Sequence, residues 1–159
     1  MQISFIADSP EQTANIAAAI GRVLGAGDVL LLEGPIGAGK THFARSLIQD
    51  RMQAEGAIED VPSPTFTLVQ CYPFQDAEIW HADLYRLTDP NEVIELGLEE
   101  AFETAICLVE WPDRLADLVP PKALTLQLET ITETSRSMTL SSADPSWAAR
   151  LQDLTSAAA

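Results

Sequence analysis

Basic residues are scarce in this chain. Against 24 aspartates and glutamates stand 9 lysines and arginines, for a formal net charge of −15 over 159 residues. Nucleic-acid affinity rests largely on lysine and arginine neutralising phosphates, so the chain alone is expected to bind nucleic acid poorly. Such acidity keeps a small protein soluble, and a basic partner surface is the other reading. Cysteine is nearly absent too. Cys71 and Cys107 are too few for a disulfide framework or a cysteine-based zinc site, and both lie in apolar, strand-like runs, so they read as reduced core residues. Long apolar runs are missing: none approaches the roughly 18 residues of a membrane span, and the opening MQISFIADSP carries no basic region or extended apolar segment. No membrane association is expected, and the expected location is the cytoplasm.

The material present suits one compact domain, since 47 % of the residues are hydrophobic and the length is ample for a real core. The expected boundaries are 1–154, with 155–159 a frayed tail. Helical and strand periods alternate along the chain without repeats. ISFIA suits a short opening strand. Ser9, Pro10 and Gln12 then form a helix start, with Ser9 as N-cap, Pro10 at the first helical position and Gln12 completing a capping box. That helix should stop near Gly25 and turn Thr13, Ile16, Ile20, Val23 and Leu24 inward. DVLLLE is an almost wholly apolar strand, which requires cover on both faces of its sheet. Phe43, Leu47, Ile48 and Met52 form one stripe, predicting a helix from Gly39 to about Ala54.

Between that strand and that helix lies GPIGAGKT, the G-x-x-x-x-G-K-[ST] spacing of a P-loop, at Gly34, Gly37, Gly39, Lys40 and Thr41. Glycines allow the backbone to wrap a phosphate with successive N–H groups turned inward. The helix N-terminus adds its positive dipole end, Lys40 can reach the β- and γ-phosphates, and the Thr41 hydroxyl can join the shell of a Mg²⁺ ion. A P-loop needs an acidic partner for its metal at the tip of another buried strand. ICLVEW offers Glu110 there, in place of the more usual aspartate. In IWHADLYRL, a strand would project His81, Asp83 and Tyr85 to one face and Trp80, Ala82 and Leu84 to the other, which places Asp83 on a polar face and not in the packed one. A carboxylate so held can orient or deprotonate an attacking water; pairing with Arg86 or His81 is the structural alternative. The prolines of VPSPTFTLV stiffen a loop in which Ser63 and Thr65 offer hydroxyls, a γ-phosphate switch or a rigid turn.

These four segments resemble one family, the TsaE ATPases of bacterial tRNA threonylcarbamoyladenosine biosynthesis. GPIGAGKT resembles the family's glycine-rich loop, SPTFTLV its S-P-T-[FY]-T-L-V element, HADLYRL its H-x-D-L-Y-R-L and LVEWPDR its E-W-P segment. His42 and Ala82 depart from the threonine and phenylalanine common there, without removing a phosphate or metal ligand. The resemblance implies an α/β, P-loop NTPase-like three-layer fold with a mixed, largely buried sheet flanked by helices. It also implies ATP and Mg²⁺ as cofactors, slow ATP hydrolysis, and work alongside the proteins TsaB and TsaD on an adenosine beside the anticodon. By the same resemblance Gly37, Ala38, Gly39, Lys40, Thr41 and His42 would cradle ATP, Thr13 would lie near adenine, and Thr41 and Glu110 would hold Mg²⁺. Asp83 and Glu110 would serve hydrolysis, and Ser63, Thr65 and Trp111 a switch or an assembly contact. A nucleotide-gated binding module, for which ATP binding and not turnover matters, is the alternative, and a small-molecule kinase a more distant one. Past Trp111 the resemblance thins. ALTLQLETI and SRSMTLSS read as two alternating strands, DPSWAARLQDL as a capped helix, Arg136 as a solvated residue with reach to nucleotide the alternative, and the acids of ELGLEEAFE as a solvated helix face with a docking surface for basic partners the alternative.

Overall fold

The computed structural model describes residues 1–56 and 58–154; the expected frayed tail, 155–159, lies outside the described residues. A single seven-stranded mixed sheet runs through the molecule in the order β1-β7-β6-β2-β5-β4-β3. Its strands are β1 (Gln2–Ala7), β2 (Val29–Glu33), β3 (Val69–Pro73), β4 (Glu78–Asp83), β5 (Ile106–Glu110), β6 (Leu124–Thr130) and β7 (Arg136–Ser141). The helices are α1 (Pro10–Val23), α2 (Lys40–Ala54), α3 (Asn91–Glu95), α4 (Leu98–Thr104) and α5 (Ser146–Arg150), with 3₁₀ turns over Pro112–Leu118. The described residues thus form an α/β fold, and none of their helices is long and apolar enough to cross a membrane.

The central strands β6, β2, β5 and β4 are mutually parallel, whereas β1, β7 and β3 pair antiparallel with their neighbours. Central position explains the unbroken apolar character of β2 and β5: Leu30 and Leu32 pack on one side with α1 and α2, while Val29 and Leu31 pack on the other with α3 and α4. Each face of a buried parallel strand needs apolar side chains, so no alternation survives in the sequence. Trp147 and Leu151, in and just after α5, complete the α1–α2 side.

Helix α1 starts as expected, with the Gln12 N–H donating to Ser9 Oγ at 3.1 Å. The reciprocal bond falls one residue earlier than in a capping box, on the N–H of Asp8. Two further expectations change. Cys107 is fully buried, but Cys71 is exposed, because β3 is the outermost strand and alternate residues on an edge strand face solvent. The expected terminal helix contracts to the five residues of α5, with Asp144 Oδ1 accepting from the Ser146 N–H at 2.9 Å.

Candidate functional site

The glycine-rich loop leaves β2 at Glu33 and enters α2 at Lys40. Gly34 tolerates no side chain: a Cβ there would lie 2.6 Å from the Leu128 carbonyl oxygen on β6. Gly39, the residue before α2, has φ 100°, a left-handed value that glycine reaches without strain. The loop therefore presses against the sheet and turns directly into a helix N-terminus, whose first N–H groups lack intrahelical acceptors. Lys40 is buried, and its ammonium donates to the carbonyls of Gly34 and Pro35, the latter at 2.9 Å, while lying 4.0 Å from the centroid of the Trp111 ring. Burial holds the ammonium below the usual lysine range, and the nearby carboxylates of Glu110 and Asp83 offset this only in part. Its neighbours solvate the cation without neutralising it, an arrangement suited to receiving an anion.

Asp83 and Glu110 end adjacent parallel strands and are register partners. They are 5 % and 2 % exposed. The expected parity of β4 holds, since Trp80 and Ala82 pack with the α3–α4 side, but the opposite face is not a polar one. It is the packed α1–α2 side, on which Ile79 is core and His81 is fully enclosed. Tyr85 lies past the end of β4 and shares no strand face with Asp83. Asp83 pairs with neither Arg86 nor His81: Oδ2 accepts from the Thr65 hydroxyl at 3.0 Å and Oδ1 from the Tyr85 N–H at 3.0 Å. Arg86 instead stacks its guanidinium on Phe66, and His81 Nε2 lies 2.7 Å from Glu110 Oε2. The Ser63 and Thr65 hydroxyls are 2.8 Å apart, so the proline-stiffened loop ends in a relay of hydroxyls onto Asp83.

The Thr41 hydroxyl, in the first turn of α2, lies 2.9 and 3.0 Å from the two Glu110 oxygens. A cavity of about 410 Å³ opens above this pair; Lys40, Thr65, Asp83, Tyr85 and Trp111 line it with the glycine loop. A second of about 200 Å³ adjoins it across Gly39 and His42, and contains Thr13, Ala38 and Arg136. Together they offer a polyanion seat with an adjoining, more apolar slot. The structure thus gathers Gly37, Gly39, Lys40, Thr41, His42, Thr65, Asp83, Glu110 and Trp111 around one cavity and sets Thr13 and Ala38 beside the next. Ser63 reaches the first only through Thr65.

Two participants were not picked out as site residues from sequence. His81 could have been: it sits two residues before Asp83 on the same strand face. Arg136 reads from sequence as solvated, with reach to nucleotide the alternative, and no spacing decides between them. It is not simply solvated, since its Nε donates at 2.9 Å to the carbonyl of Ala38, 98 residues away, and its Nη1 to the carbonyls of Thr132 and Ser135.

Among the described residues no three His, Cys, Asp or Glu side chains converge as a ready-made cation cage. The oxygen donors lining the larger of these two cavities are the hydroxyls of Thr41, Thr65 and Tyr85 and the carboxylates of Asp83 and Glu110. That set fits Mg²⁺, which takes one or two protein oxygens and completes its octahedron with water and substrate phosphates. Thr41 and Glu110, already in mutual contact, are the pair that could hold it.

An α/β domain with a glycine-rich loop running from a buried strand into a helix, beneath paired strand-end carboxylates, has the general form of a phosphate-binding site at a helix N-terminus. Comparison with known proteins narrows this. The family described as threonylcarbamoyl adenosine biosynthesis protein TsaE matches residues 7–138. The Rickettsia felis tRNA threonylcarbamoyladenosine biosynthesis protein TsaE is 37 % identical over 131 residues, covering 82 % of this chain and 75 % of that one. The Bacillus subtilis protein of the same name is 34 % identical over 139 residues, 87 % and 84 % of the two chains. The crystal structure of Bacillus subtilis YdiB superposes with a TM-score of 0.79 at 26 % identity, over 98 % of this chain and 95 % of that one. This chain belongs to the TsaE family and, with it, to tRNA threonylcarbamoyladenosine biosynthesis.

Proposed function

We propose that the protein is a Mg²⁺-dependent ATPase with a P-loop NTPase-like domain over residues 1–154, acting in the cytoplasm with TsaB and TsaD in the modification of the adenosine beside the tRNA anticodon. The observation that carries this reading is the Thr41 hydroxyl set against both Glu110 oxygens on the cavity that Lys40 also lines. One hydroxyl, one carboxylate and one ammonium are the minimum that a nucleotide triphosphate with its cation requires.

In this reading the N–H groups of Gly37, Ala38 and Gly39 and the α2 N-terminus bind phosphate oxygens, and Lys40 meets the β- and γ-phosphates. Thr41 and Glu110 would hold Mg²⁺, which when bound would supply positive charge to the leaving ADP oxygens. Asp83 keeps acceptor capacity beyond its two existing bonds, and with it orients the attacking water or takes its proton. Ser63 and Thr65 report on the γ-phosphate through their link to Asp83. Thr13, His42 and the slot under Arg136 take the nucleoside, and Trp111 supports Lys40 and an assembly contact. The acidic balance leaves tRNA contact to the partners.

The testing experiment measures ATP binding and hydrolysis with and without Mg²⁺, alone and with TsaB, TsaD and tRNA. Mg²⁺-dependent turnover that responds to the partners is the expected result. Tight binding without turnover under every condition would replace it with a nucleotide-gated assembly module. That second reading draws on the engagement of both Asp83 oxygens, Oδ2 by Thr65 and Oδ1 by the Tyr85 N–H.

A further inference from the structure

His81 has no exposure to solvent, and only one of its ring nitrogens is used. Nε2 lies 2.7 Å from Glu110 Oε2, whereas Nδ1 is enclosed with no hydrogen-bond partner among the described residues. A buried polar atom without a partner is costly, so a leucine or methionine would serve packing better at this point of β4. Packing alone does not account for an imidazole here. Against an ionised carboxylate, which only accepts, Nε2 would be the nitrogen that carries the hydrogen.

What the imidazole holds is the longer of the two acidic side chains. Glutamate has one more methylene and one more rotatable bond than the aspartate usual at the tip of such a strand, and its carboxylate would otherwise sample several positions. Two contacts remove that freedom, from two different elements. Thr41 on α2 and His81 on β4 both meet the Glu110 carboxylate, and Oε2 is shared between them. His81 lines neither cavity of the candidate site, so it acts through Glu110 and not on a ligand.

We infer that His81 is a positioning residue: it fixes the Glu110 carboxylate toward Thr41 and so sets the affinity of the nucleotide-bound divalent cation. This rests on the reading of Thr41 and Glu110 as the metal pair. Partners that hold a ligating carboxylate from behind are typically worth about 10- to 100-fold in metal affinity.

The test uses the full chain with a non-hydrolysable ATP analogue, reading Mn²⁺ binding by electron paramagnetic resonance and, separately, analogue affinity in EDTA. In His81→Leu, Mn²⁺ affinity should fall about 10-fold or more while analogue affinity in EDTA is unchanged. His81→Gln, whose amide N–H extends to the Nε2 position, should recover most of the loss, and His81→Asn, whose amide stops nearer Nδ1, should not. Unchanged Mn²⁺ affinity in His81→Leu and His81→Asn, beside a loss in Glu110→Gln, would overturn the positioning role and leave the metal site standing. Retained Mn²⁺ affinity in Glu110→Gln would overturn the metal pair and this role together. If His81→Leu does not fold, the two amide variants decide, and equal Mn²⁺ affinities in them would overturn the proposal.

Discussion

In one half of the sheet β2, β5 and β4 run parallel, so their carboxyl ends meet at a single edge; in the other half β6, β7 and β1 alternate, so β6 ends at that edge and β7 begins there. The parallel half delivers the glycine loop, Glu110 and Asp83 side by side. Among the described residues the antiparallel half brings no carboxylate to the larger of the two cavities, though Glu133, between β6 and β7, lines the smaller one, and this half braces the loop through Leu128 beneath Gly34 and through Arg136 on the Ala38 and Gly37 carbonyls. Parallel strands concentrate chemistry, because every strand ends where the next one does. The antiparallel hairpin holds the loop in place from outside.

Substitutions should separate these two contributions. The largest effect is expected in the parallel half: on the proposed function, Asp83→Ala lowers ATP turnover about 100- to 10,000-fold with ATP affinity retained. Steady-state kinetics beside equilibrium binding check this, and unchanged turnover would move the chemistry away from the strand tips. Lys40→Met should lower ATP affinity about 100-fold while raising the melting temperature, since it removes a desolvated ammonium. That stability difference has a pH signature. The folded-state pKa of Lys40 is lowered from 10.5, so between the two values the unfolded chain binds more protons and wild-type stability rises with pH. The melting-temperature gap between Lys40→Met and wild type should therefore narrow as pH rises through the folded-state value toward 10.5.

To test the antiparallel half's hold on the loop, Gly34→Ala should cost about 1–3 kcal/mol, read from urea unfolding, because the new methyl meets the Leu128 carbonyl. Arg136→Met should be milder, raising KM for ATP about 10-fold or less with kcat nearly unchanged; a kcat effect as large as that of Asp83→Ala would erase the division between the halves. The smallest expected contrast is between the cysteines. Cys71 should be alkylated in the native protein, whereas burial pushes the Cys107 thiol up to about 12, so it should react only on unfolding.

The loop, its flanking strand and helix, the N-cap of α1 and the acidic tip of β5 were legible, because each is written in neighbouring residues: spacing, periodicity and glycine placement. The order of strands was not. Cys71 and Cys107 sit in similar apolar runs, and only the edge position of β3 separates them. Asp83 looked like part of a polar face because its strand parity was readable, but which face α2 covers is a tertiary fact. Arg136 shows the limit most sharply, since its acceptor lies 98 residues back. His81 lies between these cases: its face was readable, but its partner, 29 residues on, was not.

The contacts that brace the glycine loop also order events in time. The loop is complete in the chain by Thr41, but the surface that Gly34 rests on arrives with Leu128 and the guanidinium that holds the Ala38 carbonyl with Arg136. Strand β6 must insert beside β2 before either can act. A nascent chain emerging from the ribosome therefore carries the motif for most of its synthesis without these braces, and on the proposed function nucleotide binding would mark that the last strands have docked.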